Sequence, residues 1–141
     1  QHQYLFLTKR PEDIRFSTTQ DNAWFGVTVT SCKEKGRIQT LREHILGGHY
    51  HATFEPMFDD IGEVDFSGIE WVVIGTETGR RKGKAVSKPE WEGKLTEQAH
   101  ALGIPVFMKE DLVPIIGEEQ MIQELPPAFS MVLEEQAQWK K

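Results

Sequence analysis

The chain has a single cysteine, Cys32, among its 141 residues. One thiol excludes an internal disulfide and any multi-cysteine metal cage built from this chain alone. It fits a reducing, cytoplasmic setting. Long apolar runs are missing too. None approaches the roughly 18–20 residues that would cross a bilayer as a helix, so no membrane role is expected. Positive charge is in deficit, with 16 Lys and Arg against 22 Asp and Glu, a net charge of −6. That argues against a general nucleic-acid coat and leaves room for a local basic patch. The N-terminus lacks the basic stretch and long apolar core of a leader. Gln1-His2-Gln3 runs straight into Tyr4-Leu5-Phe6-Leu7. A core strand with no lead-in leads us to expect the C-terminal part of a longer chain.

What is present is ordinary for a globular domain. The hydrophobic share is 38% before the 12 glycines are counted, which excludes widespread disorder. The length suits one domain, residues 1–141. Five apolar runs stand out: Tyr4–Lys9, Trp24–Thr30, His51–Glu55, Trp71–Glu77 and Pro105–Glu110. They do not alternate, which predicts strands buried on both faces, as in a parallel sheet. The spacers are about a dozen residues or more, long enough for parallel crossovers and too long for tight hairpins.

The periodicity predicts a helix over Lys33–Leu46, with Ile38, Leu41, Ile45 and Leu46 on one stripe and Gly47-Gly48 ending it. A second helix is expected from an Ser87 cap, with Pro89 just inside, to about Leu102 before Gly103. Pro11–Arg15 and Pro56–Ile61 have room for only one or two helical turns. Residues 112–141 read as a helical tail, with a short helix at Glu118–Gln123 and an amphipathic stretch from Phe129 to Trp139. The fold class is thus α/β. Right-handed crossovers lay such units side by side in one parallel sheet, which a flat doubly wound sheet and a (β/α) barrel both satisfy; about 28 residues per unit suits the roughly 30-residue barrel unit, and five strands make a partial barrel. The Tyr4–Lys9 strand would then be an exposed apolar edge. It calls for cover by the missing N-terminal half of a barrel or by a second copy of the chain.

Parallel α/β sheets bind ligands at the carboxyl ends of their strands. Here those ends carry Lys9, Thr28 and Thr30, Glu55, Glu77 and Lys109. Polar strand tips are common because they meet solvent. Five in register on one edge point further, to a site. Glu55 and Glu77 could accept hydrogen bonds from hydroxyls or amines, and Lys9 and Lys109 could neutralise an anion. The bland alternative is mutual bracing of the rim. Gly79-Arg80-Arg81-Lys82-Gly83-Lys84-Ala85 resembles a phosphate-binding loop but has one residue too few between its glycines and Ala where Ser or Thr is needed. A basic loop able to touch phosphates, including those of nucleic acid, is the better reading. His49-Tyr50-His51 lies at the far end of its strand without a third ligand, so no metal site is expected. Cys32 has no evident base beside it.

Leu7-Thr8-Lys9-Arg10-Pro11, Trp24 to Val29, Phe54-Glu55-Pro56-Met57, Trp71 to Gly79 and Gly103 to Lys109 occur in that order. In this the chain resembles the phage gene-product 37/68 family of radical-SAM-like proteins, over residues 4 to 111. The resemblance implies a TIM-barrel-like fold and, for the full-length protein, S-adenosylmethionine and a [4Fe–4S] cluster held by three cysteines upstream. Those ligands are absent here, so this part alone would be inactive. It implies that Ile74, Gly75, Thr76 and Glu77 line the adenine site, chiefly through their backbone. Glu55 would face the same cofactor. Lys9, Thr28, Thr30, Lys109, Arg80 and Arg81 would form the substrate rim. Two rivals stand beside it. One is a non-enzymatic phage-related module that uses the same rim for a nucleotide, nucleic acid or protein. The other is a different barrel enzyme with Glu55 and Glu77 as an acid/base pair.

Overall fold

The computed structural model describes residues 2–130 and residue 134. Seven strands appear: β1 (Tyr4–Thr8), β2 (Phe16–Ser17), β3 (Ala23–Thr28), β4 (Ile45–Leu46), β5 (His49–Phe54), β6 (Ile69–Ile74) and β7 (Val106–Met108). Helices α1 (Gly36–His44), α2 (Pro89–Ala101) and the one-turn α3 (Val113–Ile116) join them with short 3₁₀ turns, and residues 127–130 and 134 are also helical. The five long strands form one sheet in the order β1-β3-β5-β6-β7, and every pairing is parallel. All five expected strands are therefore present. Among the described residues the sheet is open, with β1 and β7 as its two edges, and no closed barrel forms.

Strand alternation sorts the side chains onto two faces. Phe25, Val27, Ala52, Phe54, Val72, Ile74, Val106 and Met108 pack with Ile38 and Leu41 of α1 and Leu95 and Ala99 of α2 in one core. Both long helices thus lie on one side. A strand order that follows the chain, joined by crossovers of one hand, requires this. The other face holds Trp24, Trp71 and Val73, with Phe107, Leu125 and Phe129 against them. The indole N–H groups of Trp24 and Trp71 donate to Gln3 Oε1 and to the Glu124 carbonyl, so both rings are fixed at the amino end of the sheet.

The two edges differ. Along β7, residues 122–124 run antiparallel, with Met108 N–H donating to Ile122 O and Glu124 N–H to Val106 O. Beside β1 nothing comparable is found among the described residues. Tyr4, Leu5, Phe6 and Leu7 are each 49–55% exposed, so both faces of this apolar strand meet solvent. A groove of about 1080 Å³ lies alongside, walled by Tyr4, Phe6, Ile14, Phe16, Phe25 and Ile45. It exists because the β1–β3 connection holds only a 3₁₀ turn (Pro11–Asp13) and β2 where a crossover helix would sit.

Several local expectations need correction. The first helix stops at His44, because Ile45-Leu46 leaves it to pair with Phe16-Ser17 as a two-stranded parallel ribbon. Ile45 stays buried and Leu46 turns out to solvent. Gly47 follows at φ +91°, where a Cβ would lie 2.0 Å from the Thr18 carbonyl oxygen, so only glycine fits. Pro56–Ile61 forms no helix, and Glu118–Gln123 shortens to a 3₁₀ turn at Glu118–Gln120. Most of the amphipathic stretch Phe129–Trp139 lies outside the described residues. No described helix is long and apolar enough to cross a membrane.

Ser87 is not the cap of α2; Lys88 holds that position, without a side-chain bond. The Ser87 hydroxyl instead donates to Glu92 Oε1 in the core. Glu92 is 1% exposed, and its Oε2 has no partner. Burial raises its pKa, with the Ser87 bond opposing. The folded state therefore holds a proton that the unfolded chain releases above the ordinary carboxylate pKa. Stability is full below that value and falls as pH rises towards the folded one. Glu92→Gln, which needs no proton, is expected to gain about 1 kcal/mol at pH 7.5, roughly 3 °C in Tm, and nothing at pH 4. Thermal melts at the two pH values check this.

Candidate functional site

The carboxyl ends of all five parallel strands open on one edge, so Lys9, Thr28, Glu55, Thr76 and Lys109 share it by topology. Parity narrows the set. Thr28, Glu55, Gly75 and Lys109 lie on the parity of Trp24, His51, Trp71 and Phe107, on the face away from the helices. Lys9, one residue past β1, continues the parity of Leu5 and Leu7. The ladder runs on beyond the named strands, as Gly75 N–H donates to Phe54 O and Lys109 N–H to Ile74 O. Glu55, Gly75 and Lys109 therefore sit side by side on three neighbouring strands.

Gly75 in the middle is what joins the outer two. Strands two apart are separated by roughly 10 Å. The Glu55 side chain crosses this gap over Gly75, and Lys109 Nζ meets its Oε2 at 2.6 Å. A Cβ on Gly75 would lie 2.8 Å from the Glu55 carboxyl carbon. The pair is partly open to solvent, with side chains 25% exposed at Glu55 and 45% at Lys109.

A third charged group joins this pair. After β7 the chain turns through Glu110–Leu112, which brings Asp111 back so that its Oδ1 accepts the Thr76 N–H at 3.2 Å. Burial raises the Asp111 pKa, and the nearby Glu55 charge adds to this; the Thr76 bond and Lys109 work against it. The sequence pattern assigns Asp111 no role. Its signal was only proximity to Lys109. Two carboxylates and one ammonium thus gather at the carboxyl ends of β5, β6 and β7.

Glu77 stands apart. Its carboxylate accepts from Arg81 Nε and Nη2 and, at 2.9 Å, from the Ala85 N–H. Arg81, with the Ala85 bond second, holds its pKa down to about 2. A carboxylate held this low is a poor proton donor and a weak base near neutral pH, which counts against a Glu55/Glu77 acid/base pair. Thr30 is likewise engaged: its N–H and hydroxyl both donate to Glu34 Oε2, and Glu34 pairs with Arg37 at 3.0 Å. Arg37 also donates to the Thr28 carbonyl. Lys9 and Arg80 are exposed.

The backbone at Ile74–Thr76 is also partly committed. Gly75 N–H, Thr76 N–H and the Ile74 carbonyl all have protein partners. What faces a ligand here is side-chain charge. Elsewhere, Cys32 is exposed, and its thiol donates to Asp59 Oδ2 at 3.3 Å. That bond, with burial adding, pushes the thiol pKa up, the wrong direction for a nucleophile. His49 bonds Glu70 and the Asp21 carbonyl. Among the described residues no three His, Cys, Asp or Glu are grouped to hold a metal. The groove along β1 is apolar and contains none of Lys9, Glu55 or Lys109.

A family model described as "Protein of unknown function (DUF5131)" matches residues 1–118. The chain belongs to the DUF5131 family. No curated protein and no solved structure matches it. The DUF5131 match spans all five parallel strands and every rim residue described above, and ends in the 3₁₀ turn that follows α3.

Proposed function

We propose that this DUF5131 chain is the C-terminal part of a radical-SAM-type barrel enzyme of phage or prophage origin, forming one wall of the S-adenosylmethionine and substrate pocket. The carrying observation is the Glu55–Lys109 pair over Gly75, on the face of a singly wound parallel sheet opposite α1 and α2. A sheet with both crossover helices on one side must bury its other face, which Leu125, Ala128 and Phe129 cover beside Trp24 and Trp71, and curling into a partial barrel is the common way to bury the rest. The bare β1 edge is where preceding strands, or a second copy, would continue it.

The residues fit one of the two groups this reading involves. The amino-acid end of S-adenosylmethionine carries an ammonium and a carboxylate. Glu55 and Lys109 present the complementary charges, and Asp111 can add an acceptor for a hydroxyl or amine. Bound there, the cofactor would supply a cleavable carbon–sulfur bond. Of the adenine contacts expected through the backbone of Ile74–Glu77, those to the Gly75 and Thr76 N–H groups and the Ile74 carbonyl do not fit, because these three are already bonded within the chain. The cluster does not fit either. One cysteine, turned to Asp59, cannot give three thiolates. The reading therefore requires cysteines from outside residues 1–141. A second reading, a binding module without chemistry, is favoured by the closure of the rim charges on one another.

Calorimetric titration of S-adenosylmethionine into the chain tests the pocket. Binding is expected, and Glu55→Gln or Lys109→Met should each weaken it about tenfold, the loss of one charge-assisted bond. Joined to a cysteine-bearing segment, reconstituted anaerobically with iron and sulfide and given S-adenosylmethionine with dithionite as reductant, the protein should release methionine and 5′-deoxyadenosine. Binding without cleavage would select the second reading. Neither binding nor cleavage would end the first.

A further inference from the structure

The connection from β6 to α2 concentrates charge that the rest of the chain lacks. Residues 80–88 hold five of the 16 basic residues (Arg80, Arg81, Lys82, Lys84 and Lys88) and none of the 22 acidic ones. Solubility does not call for this, since the acidic excess already supplies it. Packed like charges repel and would splay a free loop. This loop is tied down instead. Glu77 takes both Arg81 and the Ala85 N–H, which closes the chain between them. Lys84 Nζ donates to the Gly79 carbonyl at 3.2 Å, and Lys88 Nζ lies 5.8 Å from the centre of the Trp91 ring.

Only one of the five cations is neutralised by this arrangement. Among the described residues, Arg80, Lys82, Lys84 and Lys88 form no ion pair with a carboxylate. All four are exposed. The loop leaves the carboxyl end of β6, so these cations stand on the same edge of the sheet as Glu55, Asp111 and Lys109. A small phosphate ester is held by donors that converge on it. A row of cations along an exposed loop matches a polymer whose charge repeats.

We propose that residues 80–88 are a docking surface for the phosphodiester backbone of a nucleic acid, held beside the Glu55–Lys109 rim by the Glu77–Arg81 tie. This names a substrate class for the pocket above and rests on that reading only for what happens at the rim. The backbone contacts give affinity and place the strand; they carry no sequence preference.

Fluorescence anisotropy of labelled 12-nucleotide single-stranded DNA and RNA, across 50–300 mM KCl, tests it. Affinity should fall with salt with a log–log slope of about −2 to −3, as three or four neutralised phosphates on a single strand give. Arg80→Gln/Lys82→Gln/Lys84→Gln should weaken binding at least about tenfold at 50 mM and reduce the slope by about two. The charge-keeping Arg80→Lys/Lys82→Arg/Lys84→Arg should stay within about threefold of the parent, less than 1 kcal/mol. Circular dichroism melts confirm that both variants fold. The two polymers decide whether the sugar is read. The proposal is overturned by no binding, by salt-independent binding, by a Gln triple that binds like the parent, or by polyglutamate competing as well as the oligonucleotides. No cofactor takes part, so failure here leaves the S-adenosylmethionine titration standing, and failure there leaves this result standing.

Discussion

Gly26→Ala is expected to be the most damaging single-methyl change in the sheet. An added Cβ at Gly26 would lie 2.2 Å from His51 Cε1 and 2.4 Å from both ring nitrogens. Neighbouring strands normally leave room for a methyl, because side chains on one face stand about 5 Å apart. Here the room is used. Gly26 is paired with His51, and the imidazole lies flat over the glycine to reach across β3 to the Phe6 carbonyl, 3.3 Å from Nε2. The ring has nowhere to retreat, being 3% exposed, with the Trp71 ring 6.2 Å away. Overpacking of this kind costs about 1–3 kcal/mol when neighbours can shift, and more when they cannot. A loss of roughly 3 kcal/mol in urea unfolding is the expected result. The double variant Gly26→Ala/His51→Ala, in which the obstruction is gone, should recover about 2 kcal/mol relative to additivity. If the two changes simply add, the ring does not depend on the glycine.

The same device recurs at the rim, where Glu55 lies over Gly75 to reach Lys109. In both cases a glycine on a middle strand lets a side chain span two strands. The sequence shows the glycines, in Trp24-Phe25-Gly26-Val27 and Ile74-Gly75-Thr76, and it shows the long side chains, but not that one rests on the other. Cross-strand register decides that, and a one-residue slip would move every partner. The strands themselves were legible, because apolar runs of this length with crossover spacers leave few alternatives to a parallel sheet. Their order was not, since right-handed crossovers are satisfied by a doubly wound sheet as well as by one that follows the chain. The β2–β4 ribbon was not legible, since two paired residues leave no periodicity to detect. Ser87 misled because a serine before Pro89 has the form of a local cap, while the burial of Glu92, a tertiary fact, takes its hydroxyl. Glu77 misled in the opposite way. Strand-end position suggested a free carboxylate, and Arg81 four residues on, in a loop without regular structure, claims it. Asp111 was passed over because the 3₁₀ turn that folds it back towards Thr76 has no sequence period.

His51 should make this fold acid-sensitive. Burial is the main cause that drives its pKa from 6.5 down to about 4, and the bond to the Phe6 carbonyl opposes this without offsetting it. Nδ1 is buried with no partner, so a second proton on the ring would find no acceptor. The folded state thus keeps the ring neutral at a pH where the unfolded chain charges it. Between pH 6.5 and 4 the unfolded state binds more protons, so stability rises with pH across that window and is fully present above it. The whole effect is about 3 kcal/mol, the free energy of a shift of that size. His51→Leu keeps the ring's approximate volume, cannot titrate and removes the orphaned nitrogen. Urea unfolding at pH 4.5 and 7 should show the parent losing about 2 kcal/mol more than the variant on acidification. Equal losses would mean that other groups carry the acid response. The bond to Phe6 adds a structural consequence. It is one of the few side-chain contacts holding β1, whose outer edge and both faces are exposed. Hydrogen exchange at Leu5–Leu7 should therefore quicken below pH 5 in the parent before the rest of the sheet responds, as an edge held by one titrating ring would open first.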